Sequence, residues 1–121
     1  MKKLLLTTVL LLLSTSAFAQ EAPHVPLDQS WQTSLVQQLQ RFKRYPASAQ
    51  SRKEEGVVLL SFSLDRSGHV LAHSIARSSG HADLDNEVLA MIMRAEPLPP
   101  FPESMSQTQI DLTVPIRFSL R

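Results

Sequence analysis

Residues 110–120 read IDLTVPIRFSL, and their alternation of apolar and polar side chains decides the fold. The apolar positions are Ile110, Leu112, Val114, Ile116, Phe118 and Leu120. The positions between them are Asp111, Thr113, Pro115, Arg117 and Ser119. Successive side chains of a strand point to opposite faces, so this segment is predicted to be a strand with one buried face. Pro115 has no amide hydrogen to give to a ladder, which places the strand at a sheet edge.

A β-hairpin is predicted earlier in the chain. Residues 57–64 read VVLLSFSL, and one face of this strand is apolar throughout. The turn residues 65–68, DRSG, follow it, and Gly68 is free to take a positive φ. Residues 69–77 return as a second strand. In a regular strand Val70 and Ile75 would point to opposite faces, so a bulge that lets both face the core is predicted between them.

Two amphipathic helices complete the pattern. In the first, Trp31, Leu35, Leu39 and Phe42 recur at helical spacing. Asp28 or Ser30 is expected to cap it, and Pro46 prevents its continuation. The second carries a stripe formed by Leu84, Val88, Ile92 and Ala95. Asp83 or Asp85 is expected to begin it, and the prolines within residues 97–102 end it.

The order helix, strand, strand, helix, strand with short links predicts an α+β fold. We expect a three-stranded antiparallel sheet (α-β-β-α-β) with the first strand at its centre. The second helix should pack across the apolar face, and the last strand should lie at an edge. Trp31 is expected to anchor the first helix in the core.

The first nineteen residues are typical of a secretory signal peptide. Lys2 and Lys3 precede an apolar run over residues 4–13, and Ala17 and Ala19 are the small residues expected before cleavage. The run is about half of the roughly twenty residues that span a bilayer, so a retained membrane anchor is the less favoured alternative. The predicted organisation is signal peptide at 1–19, proline-containing leader at 20–30 and one domain at 31–121.

The composition limits the kinds of partner that the protein is expected to bind and the cellular compartment in which it is expected to work. Without residues 1–19 the chain has ten basic and eleven acidic residues, so nucleic acid is not an expected partner. The chain has no cysteine, which excludes disulfides and a lipoprotein anchor. We expect a protein exported to the periplasm of a Gram-negative bacterium, with no membrane span after cleavage.

No arrangement of residues predicts catalysis, a metal site or a cofactor. His69, His73 and His81 are the candidate metal ligands, but the predicted bulge separates the first two and no carboxylate has ligand spacing with them. No serine stands in a Gly-x-Ser-x-Gly context. Asp83 and Asp85 are expected in the first turn of a helix, where the helix dipole favours carboxylates. The sequence therefore favours binding over enzymatic activity.

The chain resembles the TonB C-terminal domain family from about residue 31 to residue 121. The features that carry the resemblance follow one another in sequence order. They are Tyr45-Pro46, Gly56-Val57-Val58, Gly68-His69-Val70, Ser78-Ser79-Gly80 with Leu84-Asp85, Pro100-Phe101-Pro102 and Val114-Pro115-Ile116-Arg117-Phe118.

The resemblance implies a domain that docks on outer-membrane receptors in TonB-dependent transport, receiving a short extended receptor segment as an added strand beside its last strand. The implied partner-binding residues are Tyr45, Pro46, Asp111, Thr113, Pro115, Arg117 and Ser119. An exposed sheet edge is a template for such pairing. A transducer of this family also has an N-terminal transmembrane helix and a long proline-rich span, neither of which is seen here. We therefore expect a binding or adaptor role.

Two alternatives stay open at this point. The same edge is able to pair with another copy of the chain, giving a strand-exchanged homodimer with a structural role in the envelope. A basic group surrounds Tyr45 and Pro46, and it either attracts an acidic partner or complements the end of the first helix. Its members are Arg41, Lys43, Arg44, Arg52 and Lys53.

Overall fold

The computed structural model describes residues 27–120, which form three helices and three strands. The helices are α1 (Gln29–Phe42), α2 (Ala47–Ser51) and α3 (Ala82–Ala95). The strands are β1 (Gly56–Asp65), β2 (Val70–Arg77) and β3 (Gln109–Phe118). The predicted order of the long elements is confirmed, while α2 is an addition too short to show helical periodicity. The predicted signal peptide and residues 20–26 lie outside the described residues.

The sheet has the order β2-β1-β3, and both neighbours of β1 run antiparallel to it. The predicted fold class and the central place of the first strand are therefore confirmed. Strand β3 pairs with β1 in one continuous register, from Gly56 opposite Phe118 to Asp65 opposite Gln109. Strand β2 shifts register twice against β1, and the shift at Leu71 confirms the bulge predicted between Val70 and Ile75.

The core lies between one face of the sheet and the helices. The apolar face of β1, with Leu60 and Leu64 fully buried, packs in one cluster with α1, α3 and β3. Every member of the predicted α3 stripe is buried. Trp31 is 4% exposed, and its indole Nε1 donates to the carbonyl of Pro99 at 2.9 Å. The predicted role of Trp31 as a core anchor is confirmed.

The two long helices begin differently. Asp28 caps α1, since its carboxylate accepts a hydrogen bond from the Trp31 amide at 2.9 Å, and α1 includes the last two residues of the predicted leader. The prediction that Asp83 or Asp85 begins the second long helix is wrong. Helix α3 starts at Ala82, and Asp85 reaches back to accept from the Ser79 amide at 2.9 Å.

The β1–β2 turn is tied to the proline-rich crossing that follows α3. Gly68 has a φ of +90°, and its amide donates to the Asp65 carbonyl at 3.0 Å. The Leu98 amide donates in turn to the Gly68 carbonyl at 2.9 Å. A Cβ atom on Gly68 would lie 1.9 Å from the Leu98 carbonyl oxygen, so glycine is required here by both conformation and space.

Candidate partner-binding edge of the sheet

The outer edge of β3 is exposed and regular, and it carries most of the predicted partner-binding residues. Five of them are exposed, in agreement with the alternation of the sequence, and they are Asp111, Thr113, Pro115, Arg117 and Ser119. The apolar residues between them face the core cluster or pack against it. Four of the five belong to β3, and Ser119 follows its end.

The register fixes which backbone groups of β3 point away from the sheet. The Asp65 amide donates to the His69 carbonyl on the β2 side. In an antiparallel ladder a residue directs both backbone groups to one side, and successive residues alternate, so Ser61 and Ser63 also point toward β2. Their partners on β3, Thr113 and Asp111, then direct their N–H and C=O groups to the open edge.

Pro115 follows the same rule. It lies opposite Leu59, two residues from Thr113, so its nitrogen faces the open edge and its missing N–H costs no bond to β1. The proline is therefore compatible with a full ladder on one side of β3. At the open edge it offers only a carbonyl oxygen.

The far end of this edge is covered by Lys43. Its ammonium donates to the Arg117 carbonyl at 2.6 Å and lies 5.3 Å from the centroid of the Phe118 ring. Partial burial lowers the pKa of Lys43. Just beyond, the Leu120 amide donates to the Glu55 carboxylate at 2.9 Å. The bond from Lys43 also confirms that the Arg117 carbonyl points to the open edge, as the register requires.

Tyr45 and Pro46 are half-buried beside the end of β3. The Tyr45 ring meets the Phe118 ring edge-on, and its hydroxyl donates to the Glu54 carbonyl. Burial, followed by the nearby Glu55 and Glu54 charges, raises the pKa of the Tyr45 hydroxyl. The structure thus brings Tyr45 to the predicted edge and gives it a packing role there.

The basic group separates into members with different roles. Arg52 pairs with Glu54 at 2.9 Å and also with Asp83 of α3, so it links α2 to the rest of the fold. Lys43 covers the edge of β3, while Arg41 and Arg44 are exposed. The contact between Lys43 and Arg117 was missed by sequence reasoning, because 74 positions separate the two residues and no local pattern links them.

The opposite edge of the sheet is irregular. Strand β2 carries one unmatched residue at Leu71 and another at Ala76, where its register against β1 shifts. Bulges twist an edge strand and disrupt the even spacing of its backbone groups. Of the two edges, β3 therefore offers the better template for a further strand.

Residues 27–120 hold neither a cluster of metal-binding side chains nor a membrane-spanning helix. Within them no cluster of three or more His, Cys, Asp or Glu side chains is placed to share a metal ion. Of the candidate ligands, His69 and His73 lie on either side of the bulge at Leu71. No helix in the same range combines the length and the apolar character needed to cross a bilayer.

Comparison with known proteins matches this fold to one family. The family model described as the Gram-negative bacterial TonB protein C-terminal matches residues 42–120. Protein TonB of Pseudomonas putida is 38% identical over 92 residues, which are 75% of this chain and 38% of that protein. Protein TonB of Pasteurella multocida is 31% identical over 91 residues, 75% of this chain and 34% of that protein.

A solved structure agrees with the sequence matches. The solution structure of the Helicobacter pylori TonB C-terminal domain has a TM-score of 0.68 at 29% identity, covering 89% of this chain and 92% of that one. The chain spans little more than a third of the length of the curated relatives it matches. The resemblance carried by the sequence motifs is confirmed, and the chain belongs to the TonB C-terminal domain family.

Proposed function

We propose that this protein binds an extended segment of an outer-membrane receptor, or of another envelope protein, as an added strand on the open edge of β3. The observation that carries the proposal is the row of outward backbone groups at Asp111 and Thr113 on an exposed strand of unbroken register. Pairing through backbone groups gives affinity without requiring one particular partner sequence.

The setting that we propose is the periplasm, after removal of the signal peptide, in association with TonB-dependent transport. Family membership supports this setting, since the curated relatives are TonB proteins. We propose that binding, with no catalytic step, is the whole activity of residues 27–120. The polar side chains of the β3 edge are spread along one strand and do not converge on a common point.

Thr113→Pro tests the pairing directly. The Thr113 amide points to the open edge, so the substitution removes a donor offered to the partner and leaves the ladder to β1 intact. Thr113→Ala is the matched control, because it trims the same side chain and keeps the amide. Both variants and the parent, each spanning residues 20–121, are used as bait in outer-membrane extract, and the retained proteins are mapped by limited proteolysis and mass spectrometry.

The parent and Thr113→Ala should retain outer-membrane proteins through an extended N-terminal segment, and Thr113→Pro should lose them. Circular dichroism establishes that the proline variant is folded. Retention of the same segments by folded Thr113→Pro would contradict the proposal. If the parent instead pairs only with itself, with a mass that doubles as concentration rises, the edge serves the strand-exchanged homodimer.

A further inference from the structure

The open edge of β3 is divided into two unequal parts by Lys43. From Gln109 to Pro115, no side chain among residues 27–120 forms a hydrogen bond with the outward N–H or C=O groups. At Arg117 the outward carbonyl is already bonded to the Lys43 ammonium at 2.6 Å. The edge that a partner strand meets is therefore shorter than β3 itself.

The Lys43 ammonium competes with a partner strand for the Arg117 carbonyl. An amide nitrogen pairing with the Arg117 carbonyl would lie at about 2.9 Å from its oxygen, and the Lys43 ammonium already bonds to that oxygen at 2.6 Å. The side chain is held there by the Phe118 ring below it, at 5.3 Å from the ring centroid. Among residues 27–120 no carboxylate forms an ion pair with Lys43 that would draw the ammonium aside.

The neighbouring groups reinforce the boundary. Pro115 offers no N–H to the partner, so the ladder weakens one step before it reaches Lys43. Two successive features thus oppose pairing at the end of the strand, namely the missing N–H of Pro115 and the bond from Lys43 to the Arg117 carbonyl.

We infer that Lys43 is a stop that confines a partner strand to the segment from Gln109 to Pro115 and thereby sets the register of docking. This inference rests on the proposed function. Exposed edge strands are commonly protected from unintended pairing by charged side chains, lysine above all. Here the lysine guards one end and leaves the other open, so it selects a pairing length of about seven residues.

The test compares Lys43→Met with the parent, using amide hydrogen exchange measured residue by residue by NMR on residues 20–121, a range that retains every described residue. Methionine keeps an aliphatic stem against Phe118 and removes the ammonium. Arg44→Met is the matched control, since it removes one charge from the adjacent exposed position. Lys43→Leu, which also has no N–H donor, is a second variant should the methionine variant not fold. The probe is a peptide enriched from a random twelve-residue display library on the parent, with peptides that also bind Thr113→Pro discarded.

With the peptide bound, the Asp111 and Thr113 amides should exchange at least about tenfold more slowly in all folded variants, since their pairing to the peptide closes them to solvent. The Arg117 amide should remain fast in the parent and in Arg44→Met, and should slow by a similar factor only in the Lys43 variants. Slow exchange of the Arg117 amide in the parent, or its fast exchange in the folded Lys43 variants, would overturn the role of Lys43. The proposed function would still stand in either case. Absence of a selected peptide, or no slowing at Asp111 and Thr113, would overturn the proposed function itself.

Discussion

The Tyr45 ring meets the Phe118 ring edge-on, with the two centroids 5.4 Å apart. Edge-to-face contact is a favoured arrangement of aromatic pairs. The contact joins the segment after α1 to the last residue of β3, and Lys43 lies over the same Phe118 ring. Tyr45 and Lys43, both far from β3 in sequence, therefore shape the end of the candidate edge.

We expect Tyr45→Ala to lower the urea midpoint of unfolding more than Tyr45→Phe does. The alanine variant loses the ring contact with Phe118, whereas phenylalanine loses only the hydroxyl that donates to the Glu54 carbonyl. Urea titration followed by circular dichroism measures the order. Equal midpoints for the two variants would show that the hydroxyl, and not the ring, is what matters.

Gly68→Ala should be strongly destabilising, by about 3 kcal/mol or more, because it combines an unfavourable φ with overpacking. The new Cβ would lie 1.9 Å from the Leu98 carbonyl oxygen. Gly80→Ala is the matched control, since Gly80 has a φ of +93° and nothing lies within 4 Å of its ideal Cβ. The control should cost about 1–2 kcal/mol, the conformational part alone. Urea unfolding of both variants separates the two contributions, and equal losses would contradict the close approach.

Leu60→Ala should cost about 2–5 kcal/mol, the range found for large-to-small changes in a rigid core. Leu60 is fully buried at the centre of the sheet. Leu71→Ala is the control on the neighbouring strand, where the side chain is 52% exposed, and it should change stability by less than about 0.5 kcal/mol. A comparable loss for Leu71→Ala in urea titration would indicate that the bulge residue has a packing partner.

Lowering the pH should weaken the capping of α1 by Asp28. The hydrogen bond from the Trp31 amide, followed by those from Ser104 and Ser30, holds the pKa of Asp28 below its usual value. A carboxyl whose pKa is lower in the folded state contributes stability above its unfolded pKa of about 3.9, and that contribution is lost as pH falls through the folded pKa. The urea midpoint should therefore fall below about pH 4 for this reason.

Asp28→Asn isolates this contribution, because asparagine caps helices about as well as aspartate and does not titrate in this range. We expect its urea midpoint to fall less steeply with acid than that of the parent between pH 5 and pH 2, by the rule that links proton binding to stability. Asp65 and Asp85 also have lowered pKa values, so part of the acid dependence should remain. Identical slopes in the two proteins would remove Asp28 from the acid response.

Local pattern determined the strands and the long helices. Alternation along residues 110–120 identified a half-buried strand, and Pro115 placed it at an edge before its neighbour was known. The odd spacing of two apolar residues in one strand was enough to locate the bulge between Val70 and Ile75. These predictions succeed because periodicity and backbone chemistry act over a few residues, which is the range that a single sequence displays.

Contacts between distant segments were decided only by the tertiary structure. The start of α3 was misplaced because Asp85 accepts from Ser79 and Asp83 pairs with Arg52, in place of capping the helix. Lys43 was seen as one of several cations, yet the fold carries it to the Arg117 carbonyl. The sequence alone determined that β3 has an open edge. Which part of that edge remains open depends on contacts between residues far apart in the sequence. The physical reason is that a lysine side chain binds whichever carbonyl the fold brings within its reach, and no sequence periodicity shows which carbonyl that is.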